Sequence, residues 1–250
     1  MALSGVLFDL GDTLVTQEPL VGSASNGLGA AALAALLTDQ VEHPPTAEQL
    51  AETLGEALHE ALVTAYETEC AAPDVRAVFR EVFDGFDWEP ADELLDQLVP
   101  VYFRPHFDAM QARPHVPRVL ELLRTGGLRV ALLANVLYGE EMLLERLAQL
   151  RILTNLDAFV LSTQTGWLKP HPALYREAAA RLGLDASNLV MVGDDWDFDV
   201  RTPQRLGMRA IWLRSTGATM PDSVAPDAII DDLGDLLPSL AALEPRTRPA

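Results

Sequence analysis

The spacing of apolar residues changes near residue 110, and the chain reads as two kinds of pattern on either side of that point. At the start, GVLFDL is a short apolar run suited to a buried strand, and Gly11 and Asp12 then turn the chain. A helical block follows. In PPTAEQLAETLGEALHEALVTAYE, Thr46 and Gln49 have capping-box spacing, and Leu50, Leu54, Leu58 and Leu62 form one stripe. DVRAVFREVFDGF and PADELLDQLVPVYF continue the helical period, and no further strand is expected before residue 110.

Beyond that point, continuous apolar runs alternate with amphipathic helices. LRVALLAN, DAFVLS, NLVMVGDD, RAIWLR and DAII read as strands. VPRVLELLRTGG, GEEMLLERLAQL, HPALYREAAARLG, DVRTPQRLG and LGDLLPSLAAL read as the helices between and after them. Strands that are apolar throughout and alternate with helices predict an α/β fold with a Rossmann-like parallel sheet covered on both faces. The first strand has no partner near it and must join this sheet, which makes the helical block an insertion. The expected organisation is a core strand in 1–16, a helical insertion in 17–107, the rest of the core in 108–245 and a frayed tail in 246–250.

Composition narrows the partners. The 250 residues carry a net charge of -19, from 37 acids and 18 bases, which opposes binding to a phosphate backbone. The helical block, with 17 acids and only Arg76, Arg80 and Arg104 between Gln17 and Phe107, is the more acidic part. No apolar run reaches the ~20 residues of a membrane span, and no basic segment precedes the first apolar run as a secretory signal requires. Cys70, the single cysteine, cannot form an internal disulfide and fits a reducing, cytoplasmic setting.

Ligands of open parallel sheets bind at the carboxyl ends of the strands. Here the first strand ends in Asp9, the second in Ala134 and Asn135, the third in Ser162 and Thr163, and the fourth runs into GDDWDFD with Asp194, Asp195, Asp197 and Asp199. If the first and fourth strands are neighbours, Asp9 and Asp194 converge, and their repulsion calls for a cation; all-oxygen ligands suit Mg²⁺. Each residue also has an ordinary reading. Asp9 and Asp12 are turn formers, Asp197 and Asp199 helix caps, Lys169 a surface residue and Pro172 a helix starter. Their coincidence at matching strand ends favours the functional reading.

VLFDLGDTLV, LLANV, GWLKPHPALYREAAARLG and VMVGDDWDFDVRTPQRLGMRAIWL resemble, in that order, the four motifs of the haloacid dehalogenase-like hydrolase superfamily. The branch resembled is the one whose helical cap is inserted just after the first strand. The resemblance implies a Mg²⁺-dependent phosphatase of a small phosphorylated metabolite. Asp9 would be the nucleophile, forming an aspartyl-phosphate. Asp9, Asp194 and the Gly11 carbonyl would bind the metal, with Asp199 and Asp195 around them; Asp199 would hold the metal's water or orient Lys169. Ala134, Asn135 and Lys169 would face the phosphoryl group. Lys169 is the only lysine beside seventeen arginines. A compact, mobile point charge is what this position asks for, and a planar guanidinium does not supply it.

Two positions depart from the family's pattern. Gly11 stands where its phosphatases carry a second aspartate as general acid, and Asp12 comes one residue later, where a tight turn would face it away. Ala134 stands where a serine or threonine usually bonds the phosphoryl group; backbone N–H groups around Asn135, and Thr163 more weakly, could compensate. The alternatives are a catalytically weak phospholigand- or partner-binding protein and, against the crowded acids of the fourth strand, a 2-haloacid dehalogenase. Trp167, Trp196 and His171 flank the motifs as pocket or packing residues. The scarcity of arginine in the helical block disfavours a substrate with a second anionic group, unless Arg104 or His106 is placed to bind it. A monomer or homodimer is expected.

Overall fold

The structure, a computed structural model, describes residues 3–16, 24–138, 140–221 and 224–243. The tail expected at 246–250 and the opening of the helical insertion, 17–23, lie outside them.

The chain begins with β1 (Gly5–Phe8) and β2 (Val15–Thr16), followed by four helices, α1 (Ala24–Leu37), α2 (Ala47–Glu67), α3 (Val75–Asp84) and α4 (Asp92–Ala109). Next come β3 (Gln111–Ala112), α5 (Val116–Thr125), β4 (Arg129–Ala134), α6 (Glu140–Gln149), β5 (Ala158–Leu161), α7 (Ser162–Thr165) and α8 (Pro172–Leu182). The last elements are β6 (Leu189–Gly193), a π-helical turn (Trp196–Arg201), α9 (Thr202–Arg205), β7 (Arg209–Leu213), β8 (Ala228–Ile230) and α10 (Leu236–Ala242). Contacts divide the chain into a sheet unit, Met1–Thr16, Gln111–Asn135 and Leu147–Ala250, and a helical unit, Gln17–Met110 and Val136–Arg146.

In the sheet unit the six long strands lie parallel in the order β5-β4-β1-β6-β7-β8. β1 and β6 are buried at every position, because helices cover both faces and leave no solvent side to alternate toward. On one face, Leu7, Ala131, Leu133, Val160 and Met191 pack on Leu174, Tyr175, Ala178 and Leu182 of α8. Each of the leucine, valine and methionine side chains among them contributes roughly 1.5–3 kcal/mol by leaving water. The chain leaves β1 for β4 on one side and returns to β6 on the other, so the switch of direction lies at β1. That is where a doubly wound sheet opens a crevice for ligands.

In the helical unit the capping box of α2 is formed in full. The Thr46 hydroxyl accepts from Gln49 N at 3.2 Å, and the Gln49 side chain accepts from Thr46 N at 2.9 Å. Leu50, Leu54 and Leu58 are buried, and Leu62 is half-buried. α4 stays helical through Pro100 and Pro105, each of which removes a backbone hydrogen bond. Aromatic packing holds it. Tyr102 meets Phe79 edge-on at 5.5 Å, and Tyr138 meets Phe107 at 4.2 Å. Gly29 of α1 lies against the Tyr102 carbonyl, where a methyl group would overlap the backbone.

Three features differ from the sequence reading. β2 is a strand before residue 110, pairing antiparallel with β3; two residues are too few to carry a period. The strand read from DAFVLS ends at Leu161, and Ser162 opens the short helix α7. The helix expected from DVRTPQRLG starts earlier, as the π-helical turn, with α9 after it. Among the described residues, no helix is long and apolar enough to cross a membrane.

Candidate active site

The site is assembled at the carboxyl ends of β1 and β6. Asp9 is the first residue beyond β1, and its N–H donates to the Val192 carbonyl at 3.0 Å, which extends the ladder and fixes its backbone. Asp194 follows β6, and Asp199 lies in the π-helical turn. Carboxylate oxygens of Asp9, Asp194 and Asp199 all lie within 4.8 Å of one another. The parallel pairing Phe8↔Val192 produces this meeting of residues far apart in sequence.

Lys169 enters the same space. Its Nζ donates to Asp9 Oδ1 at 2.6 Å and to Asp199 Oδ1 at 3.0 Å. The lysine is 2% exposed and Asp199 fully buried, so each charge depends on the other. Burial works to lower the lysine pKa, but the carboxylates of Asp199 and Asp9 outweigh it and hold the group well above its ordinary range. It remains an ammonium between two carboxylates. The Phe198 ring lies 5.8 Å from Nζ. Asn135 holds the lysine from behind: its Oδ1 accepts from Lys169 N at 2.6 Å and its Nδ2 donates to the Lys169 carbonyl at 3.1 Å. The Asn135 side chain thus grips the backbone of the lysine.

Asp199 is anchored twice, by Lys169 and by the Asp195 N–H, which donates to its Oδ2 at 3.1 Å. Asp194 is more open. Thr13 Oγ1 donates to its Oδ1 at 3.2 Å. Burial, then the charges of Asp9 and Asp12, raise its pKa to about 6. Asp195 is not in the acid cluster. Its exposed carboxylate caps the π-helical turn by accepting from Asp197 N and Phe198 N at 2.9 and 2.8 Å. Asp197 pairs with Arg201.

The remaining candidates are placed as follows. Ala134 is buried at the end of β4. Gly11 bridges to Val15. Asp12 is exposed, with a left-handed backbone at φ 52°, and the Arg113 guanidinium donates to its carbonyl. Ser162 is buried and Thr163 exposed in α7. Trp167 stacks on His171 at 4.0 Å, while His171 Nδ1 accepts from Ala173 N and caps α8. Arg104 pairs with Glu145 at 3.0 Å, and His106 is buried in α4. Sequence reasoning missed Thr13 and Tyr175, whose hydroxyl donates to the Phe198 carbonyl at 2.5 Å and steadies the π-helical turn. A hydroxyl beside the first acid run was the only available signal for Thr13, and a tyrosine inside an apolar helix face gives none.

Comparison with known proteins agrees with this arrangement. The family model for haloacid dehalogenase-like hydrolases matches residues 3–207. Glyceraldehyde 3-phosphate phosphatase of Methanopyrus kandleri is 30% identical over 213 residues, 85% of this chain and 84% of that protein. Phosphoserine phosphatase of Thermus thermophilus is 28% identical over 245 residues, 92% of this chain and 96% of that one. The crystal structure of a 2-haloacid dehalogenase from Pseudomonas syringae matches with a TM-score of 0.72 at 26% identity, over 96% of this chain and 98% of that one. That of a HAD phosphatase from Thermococcus onnurineus, with a TM-score of 0.62 at 23% identity over 98% and 100%, shares the fold. With the family model spanning most of its length, this chain belongs to the haloacid dehalogenase-like hydrolases.

Proposed function

We propose that the chain is a Mg²⁺-dependent phosphatase of a small phosphorylated metabolite, working through an aspartyl-phosphate on Asp9. The observation that carries the reading is the charge balance at the strand ends: three carboxylates within 4.8 Å against the single ammonium of Lys169. Such crowding is unfavourable unless a further cation shares the site, and a divalent ion would neutralise the two charges left over. The donors are hard oxygens, with no thiolate or imidazole among them, which suits Mg²⁺. Asp9, Asp194 and the Gly11 carbonyl are the ligands in this reading. When bound, the ion supplies Lewis-acid stabilisation of charge on the phosphoryl oxygens.

The chain's own residues carry the steps. A carboxylate oxygen of Asp9 attacks phosphorus, and the bond from phosphorus to the leaving oxygen breaks, its electron pair departing with that oxygen. Water then attacks the phosphorus of the acyl phosphate, which frees inorganic phosphate and restores the carboxylate. Lys169 starts on Asp9 and can follow the developing charge onto a phosphoryl oxygen. Asp199 and Asn135 keep it in place. Relatives named as phosphatases for glyceraldehyde 3-phosphate, phosphoserine and ribulose 1,5-bisphosphate support the class of substrate.

The test is hydrolysis of p-nitrophenyl phosphate with Mg²⁺, with EDTA, and by an Asp9→Asn variant. Turnover that needs both the metal and Asp9 supports the reading. Turnover equal to that of the variant points to a phospholigand-binding protein, which Gly11 and Ala134 favour. The likeness to a 2-haloacid dehalogenase structure favours a third outcome, release of halide from a 2-haloacid that survives EDTA. The acid cluster weighs against it.

A further inference from the structure

Asp194 is gripped from two neighbouring strands at two different atoms. Thr13, on the loop after β1, reaches its carboxylate, and Trp212 of β7 reaches its main chain. The Trp212 indole Nε1 donates to the Asp194 carbonyl at 2.9 Å. This bond falls where the ladder stops. β6 and β7 pair through Gly193↔Trp212. Two residues on, the Arg214 N–H donates to the Ile230 carbonyl of β8 at 2.8 Å, which continues the β7–β8 ladder. Beyond the last paired residue, Gly193, the indole N–H is the donor that the Asp194 carbonyl receives.

The rest of the ring has a second contact. Trp212 and Ala210 stand on one face of β7, as residues two apart in a strand must, and they pack with Trp196 and Val200 of the π-helical turn. The two indoles meet edge-on, with centroids 5.0 Å apart and planes at 81°. Trp212 is 3% exposed and Trp196 is 7% exposed. One side chain therefore holds both ends of the Asp194–Asp195–Trp196 turn, by a hydrogen bond at its start and ring packing at its finish.

We propose that Trp212 is a positioning residue for the metal centre: its indole N–H fixes the Asp194 carbonyl and so aims the Asp194 carboxylate at the cation. This rests on the metal reading above. Partners that orient a ligand from outside it typically matter by about 10–100-fold in metal affinity. Trp212 acts on the ligand's backbone, so its loss should weaken metal binding while leaving the recognition of the phosphorylated substrate intact.

Mn²⁺ binding, read by electron paramagnetic resonance of the free ion, tests this directly on the full chain. Four proteins are compared: wild type, Trp212→Phe, Trp196→Phe as the packing control, and Asp194→Asn. Trp212→Phe should bind Mn²⁺ about 10–100-fold more weakly, with KM at saturating metal unchanged. Trp196→Phe, which keeps the donor, should bind much closer to wild type. A Trp212→Phe protein that binds like wild type overturns the proposal, provided Asp194→Asn has lost its metal. If Asp194→Asn itself binds normally, the metal reading fails instead. Should Trp212→Phe not fold, 3-benzothienylalanine at position 212 replaces only the N–H by sulfur, and unchanged Mn²⁺ affinity there counts equally against the role. An equal loss in Trp196→Phe would also overturn it, since packing alone would then account for the effect.

Discussion

The carboxylate of Asp199 occupies the space that a side chain on residue 193 would need. A methyl group on Gly193 would overlap both the carboxylate and the Cβ of Asp199. Gly193→Ala should therefore push Asp199 off Lys169 and destabilise the protein by roughly 1–3 kcal/mol, as overpacking does. Activity should fall with it. Denaturant midpoints and p-nitrophenyl phosphate turnover check this; wild-type values in both would show that Asp199 has room to move.

Lys169 neutralises two carboxylates in a dry setting. Lys169→Met should cost about 3–5 kcal/mol of stability, the cost of leaving a buried charge unpaired. Lys169→Arg should recover part of the stability and little of the turnover, because the fork is too bulky to move between Asp9 and a phosphoryl oxygen. Urea unfolding and steady-state turnover of the two variants separate these effects; equal turnover in Lys169→Arg and wild type would contradict the argument.

Asp194, with its pKa raised to about 6 from an ordinary 3.8, gives the metal-free protein a pH signature. The folded state holds this proton more tightly than the unfolded chain. The Asp194 contribution therefore disfavours folding above about pH 6 and is relieved as pH falls from there through the unfolded value. In the proposed metal-binding reading, proton and metal would compete for the same oxygens. Mg²⁺ should raise the thermal midpoint clearly above pH 7 and progressively less below about 6. Thermal melts with Mg²⁺ and with EDTA across that range give the answer, and Asp194→Asn should remove much of the dependence.

If Gly11 stands where the resemblance puts a general acid, the leaving group is expected to depart without one unless water or the helical insertion supplies the proton. Rates on a series of aryl phosphates should fall steeply as leaving-group pKa rises. A general acid contributes about 10²–10⁴, so Gly11→Asp should flatten that slope and improve alkyl phosphates most. A flat slope in the unmodified enzyme would show that another group donates the proton.

Much of this was legible in the sequence, for reasons that differ by element. The strands that meet at Asp9 and Asp194 are apolar without alternation, which can only mean cover on both faces. Thr46 and Gln49 marked the start of α2 because a capping box is a local, four-residue pattern. β2 escaped notice because two residues, Val15 and Thr16, have no period, and their partners Gln111 and Ala112 lie far along the chain. The grip of the Asn135 side chain on the Lys169 backbone depends on how two loops meet, and no spacing encodes that. The same holds for Thr13 against Asp194.

The order of strands has a consequence for how the chain must be made. β1 emerges first yet lies in the middle of the sheet, with β4 on one side and β6 on the other. Asp9 waits 160 residues for Lys169, and Thr13 waits 181 for Asp194. A nascent chain that has reached β5 still leaves one edge of β1 bare, a template for pairing with another molecule. Contacts this distant close slowly, so the centre of the enzyme is the part that its own synthesis completes late.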